Sequence, residues 1–132
     1  MRFDLVDQVL EKEEGRIVTI KQVSNAEEYL ADHFPSFPIL PGVLMLEAMV
    51  QAASELCSKD GQRLVLGQVK ALKYGAMVRP GDRLRVEVIV KQTNPDGSIM
   101  CKGTGTVLRN DTTDTETAVA GRFTIRPVRT SQ

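Results

Sequence analysis

The chain has 132 residues, with 17 basic and 17 acidic side chains and a formal net charge of zero. That length suits a single domain over 1–132 with its own core, and the charge balance excludes a global attraction for nucleic acid or an anionic membrane surface. The opening Met1-Arg2-Phe3-Asp4 lacks the basic region and apolar stretch of a secretory leader, and no run approaches membrane-spanning length, so a soluble cytoplasmic protein is expected. Cys57 and Cys101 form no Cys-x-x-Cys pattern, and with one histidine they cannot complete a zinc site without carboxylates. Both are expected to be reduced and structural.

In chain order, Leu5, Val6, Val9 and Leu10 share one helical face, which predicts a short helix from Asp4 to Leu10. After Gly15 the β-rich run from Arg16 to Val23 predicts a strand. Asn25-Ala26-Glu27-Glu28 has capping-box spacing and predicts a brief helical turn. From Gly42 to about Cys57, apolar residues cover most of a helix circumference, and such a helix belongs in a core. Beyond Asp60-Gly61 the pattern becomes β from Arg63 to Tyr74. Past the turn Arg79-Pro80-Gly81-Asp82, Leu84, Val86, Val88 and Val90 alternate with polar residues. Asn94-Pro95-Asp96-Gly97 is a strong turn signal and Asn110 to Asp114 a weaker one. They bracket a strand from Ser98 to Arg109 and precede another from about Thr115 to Arg126. Three consecutive C-terminal strands and an earlier fourth then form one antiparallel sheet around a single long buried helix, an α+β arrangement.

The stretch His33-Phe34-Pro35-Ser36-Phe37-Pro38-Ile39-Leu40-Pro41-Gly42 leads from the only histidine into that helix, where Glu47 is expected to be buried. Three prolines at three-residue spacing hold it extended, and an apolar helix rejects a carboxylate without a task or a partner. Taken alone, each residue has a plainer reading. A lone histidine is more often a solvated polar residue, and Glu47, Gln51, Ser54, Glu55 and Ser58 recur at the spacing of a solvent-facing stripe. Gln51, one turn after Glu47, suits either an edge position or a hydrogen bond to its carboxyl group.

The whole segment resembles the 3-hydroxyacyl-acyl-carrier-protein dehydratase family of the hot-dog fold, whose signature runs His-Phe-Pro-Gly-x-Pro-x-x-Pro-Gly-Val-Leu-x-x-Glu-Ala. Leu5-Val6-Asp7, Glu14-Gly15-Arg16, Gln51-Ala52 and Arg79-Pro80-Gly81-Asp82 add to the likeness. The resemblance implies an antiparallel sheet wrapped around one long helix. It implies an enzyme that dehydrates a 3-hydroxyacyl chain carried on acyl carrier protein to the trans-2-enoyl thioester in fatty-acid or related biosynthesis, without metal or redox cofactor.

That chemistry needs a base at the carbon next to the thioester carbonyl and an acid at the departing hydroxyl. His33 titrates near neutrality and suits the base, and Glu47 must be protonated to donate, which burial favours. Gly42, at the helix start, offers an N–H without a helical partner and no side chain to obstruct a substrate. By resemblance, the Gly42 N–H polarises the substrate carbonyl and the Ile39 carbonyl orients His33. Residues 34–41 in a near-polyproline conformation span roughly 25 Å, so His33 is able to lie far from its own Glu47. In the family the pair meets across a dimer, which higher assemblies such as a trimer of dimers would preserve.

Residues 62–91 carry Arg63, Lys70, Lys73, Arg79, Arg83, Arg85 and Lys91 against Asp82 and Glu87 alone. A basic rim of this kind suits an acidic carrier protein, and ordinary outward strand residues read the same way. Leu44, Met45, Leu46 and Met49 suit plain core or the lining of an acyl tunnel. Two positions depart from the family pattern: Ser36 replaces its usual glycine, and Phe37, which would narrow or cover the tunnel entrance, stands where a polar or basic residue is common. Lys73-Tyr74-Gly75-Ala76-Met77 also differs, since the family follows its aromatic with basic residues. The competing readings are a hot-dog thioesterase, with Glu47 attacking the thioester or activating water, and a non-catalytic acyl-carrier-binding subunit.

Overall fold

The computed structural model describes residues 4–23, 40–59, 61–109 and 113–128. Its elements are strands β1 (Gln8–Glu13) and β2 (Arg16–Gln22), helix α1 (Gly42–Cys57), and strands β3 (Leu64–Tyr74), β4 (Arg83–Thr93), β5 (Ile99–Leu108) and β6 (Thr115–Pro127). Among the described residues the strands form one sheet in the order β1-β2-β4-β5-β6-β3, every neighbouring pair antiparallel. β1 and β3 are therefore its edges.

The sheet owes its two faces to the period-2 pattern. In β4, Leu84, Val86 and Val88 are buried while Arg83 is exposed and Arg85 and Glu87 are half-buried. Ile17 pairs with Val88, Thr19 with Val86 and Lys21 with Leu84, so these β2 side chains share the inner face. Across that face lies α1, which packs against β2 through β6. It buries Met45, Ala48, Met49, Val50, Ala52 and Ala53 against Leu84, Cys101, Phe123 and Ile125. Close approach is possible because β5 carries Gly103 beneath the helix, where a Cβ would lie 2.5 Å from the Met49 sulfur. The sheet wrapped around one helix is the α+β hot-dog arrangement expected.

Two expectations are corrected. The predicted helix from Asp4 to Leu10 does not form: Gln8–Glu13 is a strand, and the sheet has six strands among the described residues rather than four. The Glu14-Gly15 turn, with Gly15 at φ +80°, folds β1 back on β2. Ladder pairing with Arg16–Gln22 outweighs four apolar residues at helical spacing, and Val9 and Leu10 end up exposed. Glu47, expected to be buried, is exposed in the single chain. The helical turn predicted at Asn25 to Glu28 lies outside the described residues, as does most of the weaker turn at Asn110 to Asp114.

Candidate active site

The start of α1 is built by Pro41. Its fixed φ (−59°) and extended ψ (143°) turn the chain into the helix, and no side chain caps it. The Pro41 carbonyl accepts from both the Leu44 and Met45 amides, at 3.0 and 3.2 Å. Gly42 and Val43 thus keep amides without a hydrogen-bond partner among the described residues, at the positive end of the helix dipole. Just before this point, the Leu40 N–H donates to the Val78 carbonyl at 2.8 Å. The ring of Tyr74, at the end of edge strand β3, covers Gly42: a Cβ there would lie 2.9 Å from Cε1 and from Cζ.

Glu47, one helical turn beyond Val43, faces an open cleft of about 930 Å³ between α1 and the beginning of β3. Gln51, Ser54, Glu55 and Ser58 continue along the same wall, so the stripe read from the sequence becomes one side of a cleft. Leu44, Val50, Leu64 and Leu66 supply its apolar surface, and Asp4, Val6, Arg63 and Val65 complete the lining. Gln51 has a defined orientation. Its Oε1 accepts the Leu5 N–H at 2.8 Å, which leaves its amide nitrogen to donate to Glu47 Oε1 at 3.4 Å. Of the two readings open for Gln51, an edge position or a hydrogen bond to the Glu47 carboxyl group, the hydrogen bond is present. Met45 and Met49 are buried core, and Leu46 packs against that core half-buried.

His33, Ser36, Phe37 and Ile39 lie outside the described residues. Among the described residues no group of three or more His, Cys, Asp or Glu side chains is arranged to hold a metal ion. Nor is any described helix long and apolar enough to cross a membrane. Of the basic residues foreseen as a rim, Arg63, Lys70, Lys73, Arg79, Arg83 and Lys91 are exposed and Arg85 is half-buried, in an ion pair with Glu11 at 3.8 Å.

Two relationships were missed from the sequence. Cys57, at the end of α1, and Cys101, on the inner face of β5, bring their thiols together. The neighbouring Cys101 thiol lowers the Cys57 pKa from the ordinary thiol value, against the opposing effect of burial, while the Cys101 S–H itself points to the Ile99 carbonyl at 4.0 Å. The interaction with Cys57, together with burial, pushes Cys101 upward. Cys57 also lines a second cleft of about 680 Å³, with Leu56, Lys59, Val90 and Ile99. Separated by more than forty residues, the two cysteines show no local spacing signal. The second relationship pairs Asp82 with Arg109, whose guanidinium reaches the carboxylate at 2.8 Å.

The FabA-like domain family matches residues 1–117. The 3-hydroxyacyl-[acyl-carrier-protein] dehydratase FabZ of Bacillus cytotoxicus is 40% identical over 116 residues, spanning 76% of this chain and 81% of that protein. The protein of the same name from Lactiplantibacillus plantarum is 41% identical over 103 residues, spanning 74% and 70%. Among solved structures, the dehydratase heterocomplex ApeI:P from Xenorhabdus doucetiae aligns with a TM-score of 0.68 at 14% identity, over 95% of this chain and 99% of that one. That likeness is one of fold.

Proposed function

This chain belongs to the FabA-like domain family, and from that premise we propose that it removes water from a 3-hydroxyacyl chain carried on acyl carrier protein, giving the trans-2-enoyl thioester in fatty-acid or related acyl-chain biosynthesis. The observation that carries this reading is Glu47, a carboxyl group on the wall of an open cleft, oriented by Gln51 on the helix that starts at Gly42. The relatives at about 40% identity, named for this reaction, support it.

In the proposed mechanism the substrate carbonyl accepts from the Gly42 N–H, whose charge stabilisation matters most as negative charge builds on that oxygen. His33, oriented by the Ile39 carbonyl, takes a proton from the carbon next to the thioester. The electron pair moves through the carbonyl and returns to form the C2–C3 double bond. As the C3–O bond breaks, the Glu47 carboxyl gives its proton to the hydroxyl, which leaves as water. His33 is left protonated and Glu47 ionised, and a proton passing between them or through solvent resets the pair. Gln51 supports Glu47, and Phe37 stands at the entrance of the acyl tunnel.

We place His33 and Glu47 of one site on different subunits of a homodimer. Support comes from the single chain, which leaves Glu47 exposed, its cleft open and β3 as an edge strand among the described residues. The exposed apolar side chains Val69, Tyr74 and Met77 lie along or just after that edge, where a second copy would cover them. The cytoplasm is the compartment proposed, since it keeps thiols such as Cys57 and Cys101 reduced.

The test follows enoyl absorbance from a 3-hydroxyacyl thioester on carrier protein. His33→Ala and Glu47→Gln should each lower turnover by about 10²–10⁴-fold. Unchanged turnover in either variant would sink the mechanism, and release of free acid and thiol would identify a hydrolase instead.

A further inference from the structure

The chain leaves β2 at Val23, returns to described structure at Leu40, and enters α1 two residues later at Gly42. Val23 and Leu40 are both buried, and both are held by one short segment, residues 77–82. Val23 bonds it twice: its N–H donates to the Asp82 carbonyl at 3.0 Å, and its carbonyl accepts the Gly81 N–H at 2.8 Å. Leu40 donates to the Val78 carbonyl at 2.8 Å. Val23 and Leu40 are therefore bonded to the same few residues, and Leu40 is the approach to the Gly42 amide.

Something must hold that segment in place, because it lies between two strands that are not neighbours in the sheet. Arg109, just past the end of β5, does so from the side. One of its nitrogens donates to Asp82 Oδ2 at 2.8 Å and another to the Met77 carbonyl at 3.3 Å. Asp82 also accepts the Arg79 N–H at 2.9 Å on the same oxygen, which closes the turn. Both side chains are largely removed from solvent, 22% exposed for Arg109 and 11% for Asp82. Arginine suits the task because its planar fork reaches a carboxylate and a carbonyl together, which a lysine ammonium cannot do in a fixed geometry.

We propose that Arg109 and Asp82 are positioning residues for the dehydration, acting through residues 77–82 on the placement of the Gly42 amide. Neither touches substrate. The linkage runs from the Arg109 guanidinium to the Met77 carbonyl and the Asp82 carboxylate, from Val78 to the Leu40 N–H, and through Pro41, whose ring fixes φ, to Gly42. A loosened segment leaves the substrate's binding surface along α1 in place and misaligns the amide at which negative charge develops. The cost then falls on kcat rather than KM. This inference rests on the dehydratase reading for its kinetic readout and on the fold for its spectroscopic one.

The test compares Arg109→Ala and Arg109→Lys with the wild type and with Glu116→Gln. Glu116 is an exposed carboxylate 3.8 Å from Arg109 whose loss leaves both bracing bonds intact. Arg109→Ala should lower kcat about tenfold or more with KM within about threefold, Arg109→Lys should recover part of the loss, and Glu116→Gln should match the wild type. In parallel, the Gly42 amide resonance and the imidazole resonances of His33, the chain's only histidine, should move in Arg109→Ala. A folded Arg109→Ala with wild-type kcat and unmoved resonances overturns the proposal. If Arg109→Ala does not fold, Arg109→Lys decides: a lowered kcat at wild-type melting temperature supports positioning, and wild-type kcat overturns it. If the wild type itself makes no enoyl product, the dehydratase reading has failed, and the two sets of resonances still decide whether Arg109 positions Gly42.

Discussion

The Tyr74 ring rests on the backbone of Gly42, its Cε1 and Cζ 2.9 Å from where a side chain would begin. A methyl group at position 42 would force the ring away, and the ring, as the far end of a side chain at the end of β3, can shift about its own torsions. Gly42→Ala should therefore fold, keep its amide, and lose about tenfold or more in kcat/KM through obstruction of the approach to that amide. Adding Tyr74→Ala to Gly42→Ala should recover part of the loss. Steady-state kinetics of the single and double variants decide the matter; no recovery would place the obstruction on the substrate side.

Gln51 joins Glu47 to the N-terminal segment through Leu5. Gln51→Glu retains an acceptor for the Leu5 N–H and loses the donor to Glu47, putting a second carboxyl group beside the first. Removing one hydrogen bond of about 1.4 kcal/mol that acts in the transition state corresponds to roughly tenfold in rate. The variant should melt near the wild-type temperature and turn over at least that much more slowly. Equal turnover would reduce Gln51 to a structural link.

If His33 and Glu47 meet across subunits, two inactive variants should complement. Mixing His33→Ala with Glu47→Gln under conditions that exchange subunits makes about half of the dimers mixed, each with one intact site, so about a quarter of wild-type activity should return. A site built within one chain would show no recovery, and an activity assay before and after subunit exchange separates the two.

The pairing of the thiols gives a pH signature. Because Cys101 lowers the Cys57 pKa, the reactive thiolate of Cys57 forms at lower pH than that of an ordinary thiol, near 8.5. Iodoacetamide should modify Cys57 first, with a rate midpoint on the acid side of that value. Cys101→Ala removes the neighbouring thiol and should move the midpoint upward. Mass spectrometry across a pH series reads both; a midpoint that stays in place would show that Cys101 does not tune Cys57.

Thr19 points into the interface between sheet and helix, and its hydroxyl is buried without a hydrogen-bond partner among the described residues. Threonine and valine have nearly the same shape, so Thr19→Val replaces an unsatisfied polar group with an apolar one. It should raise unfolding stability by about 1 kcal/mol or more. Chemical denaturation measures this directly, and a loss of stability would reveal a partner for the hydroxyl.

Local pattern was informative wherever one segment carried the whole signal. Helix α1 begins at Gly42 and ends at Cys57 as its apolar run and the preceding Pro41 predict. The alternation in β4 names its buried face, and Asn94-Pro95-Asp96-Gly97 marks the turn between β4 and β5. Positions 5 to 10 misled because four apolar residues fit a helical face as well as a strand, and only pairing with β2 separates the two.

The sequence by itself determined the family, through a motif whose prolines, glycine and glutamate stand in fixed order, and it determined the periodicities that make one helix and most of the sheet. Tertiary structure decided which face of that helix lies open, so that Glu47 is exposed beside a cleft rather than enclosed by its own chain. It also decided that Tyr74 covers Gly42, that Cys101 meets Cys57, and that Arg109 braces Asp82. Each of those pairs joins residues more than twenty positions apart. Strand order and register set such meetings, whereas helix and strand periods are written over a few residues at a time.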